Sequence, residues 1–162
     1  MGMTFLMTTR GIPMLYYGGE FMTEGRGHKS HGYMRTDFPG GWEGDSVNVF
    51  TGTNMSEKQM KSLEFSKYLL KLRNEHKALQ TGKLTHYIPK DNYYIYFRSN
   101  DEETFMIVLN NSDKKYSLSL HDFAESLEGF SKFKNMSDNK EEEIGDEVML
   151  DAKSATILKL IK

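Results

Sequence analysis

Cysteine is missing from all 162 residues, which excludes disulfides and thiolate metal sites and leaves the redox compartment open. An excess of either charge is missing too: 21 basic residues stand against 23 acidic ones, for a formal net charge of −2. Such a balance supplies no basic field to draw in nucleic acid or an anionic membrane, and neither is expected as a partner. It suits a neutral partner such as a sugar without singling one out. Long apolar runs are lacking as well. Met1 to Thr9 is apolar but too short to cross a bilayer, and no basic segment precedes it. Gly2 does not make a myristoylation signal, because Leu6 stands where Ser or Thr is required. The sequons at Asn54, Asn110 and Asn135 carry meaning only in a secreted chain. None of these features names a compartment.

The residues that are present describe a globular chain, with 38% hydrophobic and 27% charged content. The length fits one domain, or one domain with part of another. Ile12 to Tyr17 is a continuous apolar run closed by Gly18-Gly19, a pattern that predicts a strand buried on both faces with Pro13 near its start. A lone strand of this kind implies neighbours outside the sequence. Glu20 to Thr53 is glycine-rich and aperiodic, yet Phe21, Tyr33, Phe38, Trp42 and Phe50 argue for a structured surface loop.

Ser56 and Gln59 form a capping box that opens a helix. Phe65, Tyr68, Leu69 and Leu72 give it an apolar stripe at helical spacing. Arg73, His76 and Lys77 suit the negative end of the helix dipole, and Gly82 marks its stop. Beyond Leu84 the period changes. Tyr93 to Phe97 and Phe105 to Leu109 read as strands joined by the polar Ser99 to Glu103. Tyr116 to Leu120, Val148 to Leu150 and Thr156 to Leu160 continue the series, while Glu141 to Glu143 reads as a solvated bend. Closely spaced strands with turn signals predict an antiparallel sandwich. Both parities of Tyr93 to Phe97 are aromatic, so one face belongs to a core and the other to a second contact.

Arg10 to Glu20, RGIPMLYYGGE, resembles the segment that forms the eighth barrel strand of α-amylase-family glycoside hydrolases. Arg35 to Trp42, RTDFPGGW, is similar to a loop of the neopullulanase and cyclomaltodextrinase branch. Leu72 to Gly82 resembles that family's final barrel helix, and Tyr93 to Asn111 with Ser154 to Leu158 resembles its C-terminal sandwich. The resemblance implies an α+β chain: the last β/α unit of a TIM barrel over residues 1–82, then an antiparallel β-sandwich domain over residues 83–162. It implies a parent that hydrolyses maltodextrins, pullulan or cyclodextrins with retention. That chemistry needs two carboxyl groups roughly 5–5.5 Å apart. In this family those groups lie on earlier barrel strands, so no catalytic residue is assigned here and the chain alone is expected to be inactive.

The resemblance carries sugar contact to Arg35. Many relatives pair it with Asp four positions earlier, where this chain has His31, and Asp37 is a replacement for that carboxylate. Trp42 is the candidate for stacking on a sugar ring, with packing against the barrel rim as its alternative. Glu20 is read as a carboxylate that fixes the loop or pairs with Arg10 or Arg26. His28 and His31 lack a third metal ligand, and Glu24, Glu43 and Asp45 lack an EF-hand pattern. No cofactor is therefore expected, with calcium in the parent left open. Two other classes remain: a stand-alone sugar-binding module, and a structural domain without sugar affinity. The unpaired strand also predicts self-association or a rearranged N-terminal segment.

Overall fold

The computed structural model describes residues 1–24 and 30–162. Arg26 and His28 lie outside the described residues, as do the readings that rested on them. The chain divides into two units, Met1–Ile12 with Leu72–Lys162, and Pro13–Lys71.

The larger unit is built on a six-stranded antiparallel sheet of order β1-β2-β3-β8-β5-β6, with a two-stranded sheet β4-β7. The strands are β1 (Lys83–His86), β2 (Tyr93–Ser99), β3 (Thr104–Asn110), β4 (Tyr116–Ser119), β5 (Lys132–Asn135), β6 (Glu141–Glu143), β7 (Glu147–Leu150) and β8 (Ser154–Ile161). Register places Phe97 beside Met106 and Met106 beside Leu158. These side chains share one core with Ile95, Val108 and Phe133 from the large sheet and with Leu118, Val148 and Leu150 from the small one. Two sheets closing on one core make the antiparallel sandwich that the strand pattern predicts.

The opposite parity of β2 is buried as well. Helix α1 (Gly2–Thr8) sets Phe5 against the rings of Tyr94 and Tyr96, and the hydroxyls of Thr8 and Tyr96 hydrogen-bond. Short helix α3 (Lys77–Thr81) buries Ala78 and Leu79 completely. Two buried faces explain why β2 is aromatic at every position from Tyr93 to Phe97 except Ile95. Where α3 ends, a Cβ on Gly82 would lie 2.4 Å from the Ala78 carbonyl and 2.7 Å from that of Ser99, so only glycine fits.

Helix α2 (Glu57–Glu75) opens on the predicted capping box. The Gln59 N–H donates to Ser56 Oγ at 3.2 Å, and the Ser56 N–H donates to Gln59 Oε1 at 3.0 Å. Replacing Ser56 by alanine should cost about 1 kcal/mol, seen as a lowered urea midpoint with unchanged slope. A loss no larger than experimental scatter would mean the box contributes nothing.

Three local readings need correction, and a fourth gains a buried partner set. The helix does not run to Gly82 but breaks at His76, whose φ of −121° and ψ of 106° are extended, and α3 restarts after it. Arg73 does lie in the last turn of α2, as expected, but it is not solvent-facing. It is buried and donates to the carbonyls of Met7 (2.8 Å), Leu79 (2.6 Å) and Gly11 (2.7 Å). Glu141 to Glu143 is a strand, held opposite Lys132 and Lys134 in an edge hairpin. Finally, Ile12 to Tyr17 is not a strand. Among the described residues nothing pairs with it, and Ile12 and Met14 are 98% and 88% exposed. A segment patterned for burial on two faces adopts no ladder without flanking strands.

The smaller unit has a modest core of its own. Phe21, Val49 and Met55 are buried, with Phe38, Val47 and Leu63 packed against them. The carbonyl of Glu20 accepts hydrogen bonds from Ser62 and Ser66, one turn apart on α2, each at 3.1 Å. Glu20 thus fixes the loop through its backbone.

Candidate functional site

The residues of interest lie on the connection between the Ile12–Tyr17 segment and α2, all within the smaller unit. Tyr16 and Tyr17 set their rings 4.6 Å apart at 33°. The Tyr17 hydroxyl donates to the carbonyl of Thr36 at 3.2 Å, which ties the paired tyrosines to the residue between Arg35 and Asp37. Hydrogen bonding with the Tyr16 side chain, desolvation and the Asp37 carboxylate hold the Tyr17 pKa above its ordinary value, and the Arg35 guanidinium opposes them. Arg35 and Asp37 are exposed, so a guanidinium donor and a carboxylate acceptor stand in solvent on either side of Thr36, whose carbonyl the Tyr17 hydroxyl binds. Such a grouping can bind a polyhydroxylated ligand by charge-assisted hydrogen bonds and ring contact.

His31 begins a 3-10 turn, His31–Met34, and is exposed. Trp42 is 68% exposed. Neither ring hydrogen-bonds, pairs or stacks with Tyr17, Arg35 or Asp37 among the described residues. The structure therefore ties Tyr17 to the segment that carries two of the four candidates, Arg35 and Asp37, through the carbonyl of Thr36 between them. The signal for Tyr17 was available in the doubled tyrosine preceding Gly18-Gly19, which was read only as part of a buried strand.

Trp42 sits in a loop that bonds to itself. Asp45 Oδ2 accepts the N–H groups of Gly40 at 2.7 Å and Trp42 at 3.1 Å. Asn48 Oδ1 accepts those of Phe50 at 2.9 Å and Thr51 at 3.1 Å. Asp45, which belongs to no EF-hand pattern, is committed to the main chain. An oxygen already facing two N–H donors is poorly placed for a cation. Among the described residues no three His, Asp or Glu side chains are grouped to hold a metal ion. No helix of the described residues is long and apolar enough to cross a membrane.

Comparison with known proteins agrees with this geometry at the level of the fold. Residues 84–159 match the family model of the cyclomaltodextrinase C-terminal domain. A cyclomaltodextrinase of Geobacillus thermopakistaniensis (strain MAS1) is 31% identical over 114 residues, which cover 68% of this chain and 16% of that protein. Among solved structures, AmyP in complex with maltose superposes with a TM-score of 0.76 at 19% identity, covering 97% of this chain and 33% of that one. The α-amylase of Geobacillus thermoleovorans complexed with acarbose gives 0.69 at 24% identity, covering 99% of this chain and 32% of its own. The chain thus spans about a third of the length of these enzymes and less of the cyclomaltodextrinase.

Proposed function

The chain carries an α-amylase-family C-terminal domain, and we propose from this premise that it serves as the C-terminal part of a retaining α-glucan hydrolase acting on maltodextrins, pullulan or cyclodextrins. Residues 1–82 are the last β/α unit of the barrel in this reading, and residues 83–162 are the sandwich that follows it. The observation that carries the reading is the extent of the likeness. It runs over 97% of this chain while matching 33% of AmyP, and so takes in the loop as well as the sandwich.

The division of labour follows from the chemistry. Retaining hydrolysis needs a nucleophile and an acid/base flanking the scissile bond, and a barrel enzyme assembles them from several strand ends. Arg35 and Asp37 donate to and accept from sugar hydroxyls beside Tyr17, Trp42 offers its indole face, and His31 stands at the entry to the loop. The sandwich is structural: its even β2 face is already covered by α1 and α3, so it offers no stacking platform there. The exposed Ile12 and Met14 are covered by the remaining barrel strands or by a second copy of the chain.

The test is the appearance of new reducing ends when the purified chain meets a maltooligosaccharide and pullulan. The expected result is no turnover above the protein-free blank. Turnover that survives repurification would place a working carboxylate pair within these residues and sink the proposal. A chain that neither turns over nor binds maltotriose would be the structural domain without sugar affinity.

A further inference from the structure

Trp42 is the single tryptophan of the chain and is 68% exposed. An exposed indole on an aperiodic, glycine-rich loop is ordinarily a poor ligand platform, because ordering it on binding costs conformational entropy. Here the backbone beneath it is already ordered. The Gly41 N–H donates to the Phe38 carbonyl at 3.1 Å, and the Asp45 N–H donates back to the Trp42 carbonyl at 3.3 Å. One oxygen, Asp45 Oδ2, then closes the step from both ends by accepting from Gly40 and Trp42. Gly40 has a φ of +96°, and a Cβ there would come within 2.7 Å of the Asn48 side chain, so this close turn requires glycine. The Val49 N–H donates to the Pro39 carbonyl at 3.2 Å, and Phe38 lays its ring edge-on to the buried Phe21 at 5.3 Å. The turn that presents Trp42 is thereby anchored to the small core.

We propose that Asp45 is a positioning residue that pre-orders the backbone presenting the Trp42 indole to the apolar face of a glucose ring. This inference rests on the sugar-contact reading of the loop. Asp45 itself touches no sugar. Its carboxylate is turned to the main chain, and its effect passes through the orientation of the residue three positions earlier. An indole carried on an ordered backbone meets the C–H face of a pyranose with less conformational freedom to lose, so the carboxylate acts on affinity by lowering an ordering cost.

A lone tryptophan makes the test direct, since its emission reports this turn alone. The measurements are the steady-state anisotropy of Trp42 without ligand and its fluorescence titration with maltotriose. They are made on the unaltered chain and on Asp45→Ala, Asp45→Asn and Asp45→Glu. Asp45→Ala should lower the anisotropy and weaken maltotriose binding about tenfold, with the far-ultraviolet circular dichroism unchanged. Asp45→Asn keeps an oxygen that accepts from the same two N–H groups and should restore both. Asp45→Glu retains the charge but displaces the acceptor by one methylene, and should resemble the alanine variant even if that variant folds poorly. If maltotriose perturbs the unaltered chain and all variants alike, with equal anisotropy, Asp45 does not position Trp42 and the sugar-contact reading stands. If anisotropy falls in Asp45→Ala but maltotriose leaves the unaltered chain silent, the sugar-contact reading fails and the proposal fails with it.

Discussion

Replacing Arg98 by alanine is expected to destabilise the larger unit by about 3–5 kcal/mol, lowering its thermal midpoint by at least about 12 °C. Arg98 lies on β2 and is fully buried. No carboxylate among the described residues pairs with it. Its guanidinium donates instead to the carbonyls of Thr8 at 2.7 Å, Gly82 at 3.1 Å and Gln80 at 3.5 Å. It thereby joins the end of α1, the end of α3 and the central sheet. Burial lowers its pKa, and the nearby charge of Arg73 lowers it further. Two guanidiniums in one interior repel each other, and the ring of carbonyl oxygens offsets that repulsion. Alanine would leave those oxygens without donors and open a cavity of side-chain size, two costs that add. Arg98→Met refills much of the volume and removes the repulsion but leaves the carbonyls unpaired, so it should fall between the two. Circular dichroism melts of the three proteins separate packing from hydrogen bonding. A midpoint for Arg98→Ala within about 2 °C of the unaltered chain would show that water satisfies the same carbonyls at little cost.

The sequence displays partners poorly when they are far away in the chain or belong to the backbone. Arg73 and Arg98 look like ordinary surface cations because their partners are carbonyl oxygens, which no residue letter reveals. The break at His76 depends on Glu103, which lies 27 residues later and accepts from the His76 ring and the Ala78 N–H. The hairpin of β5 and β6 has little apolar signal, since Glu141 to Glu143 are all exposed, with Glu141 and Glu143 opposite Lys134 and Lys132 and Glu142 opposite Phe133. Opposite charges at a sheet edge support pairing and discourage a further strand, yet a run of glutamates reads as a solvated bend. Where burial does decide the outcome, the pattern is legible. The β2, β3 and β8 runs and the shared sandwich core follow from which residues are apolar and how they alternate. The capping box of α2 is legible for a different reason, namely that both of its partners lie three residues apart. In the loop, Arg35 and Asp37 came from resemblance rather than pattern, because a solvent-exposed pair leaves no periodic trace. The failure of Ile12 to Tyr17 to form a strand has the same root. Its composition records that both faces are meant for burial and says nothing of what covers them.

Glu103 supplies the pH dependence of this unit. Its carboxylate is 11% exposed, with Oε2 accepting from Lys159 Nζ at 3.0 Å and hydrogen-bonded to His76 Nδ1 at 2.7 Å. Oε1 accepts the Ala78 N–H at 3.2 Å, at the first turn of α3. Burial alone would raise its pKa, but the hydrogen bonds from Lys159, His76 and Ala78 outweigh it, and the net shift is downward from 4.5. A carboxylate with a depressed folded pKa binds protons more readily in the unfolded chain. Its contribution is therefore fully present above about pH 4.5 and is lost as pH falls through the lower folded value. Glu103→Ala should cost about 2–3 kcal/mol at neutral pH, since it strands a partly buried ammonium, an imidazole and a helix-end N–H. The gap between the unaltered chain and this variant should then close as pH falls through the lowered folded value, below which the carboxylate is protonated in both states. Urea titrations at a series of pH values measure that gap. A difference that stays constant from pH 7 down to pH 3 would mean that Glu103 acts by packing alone. A gap that narrows only on the acid side identifies its charge as what holds the start of α3 against β3 and β8.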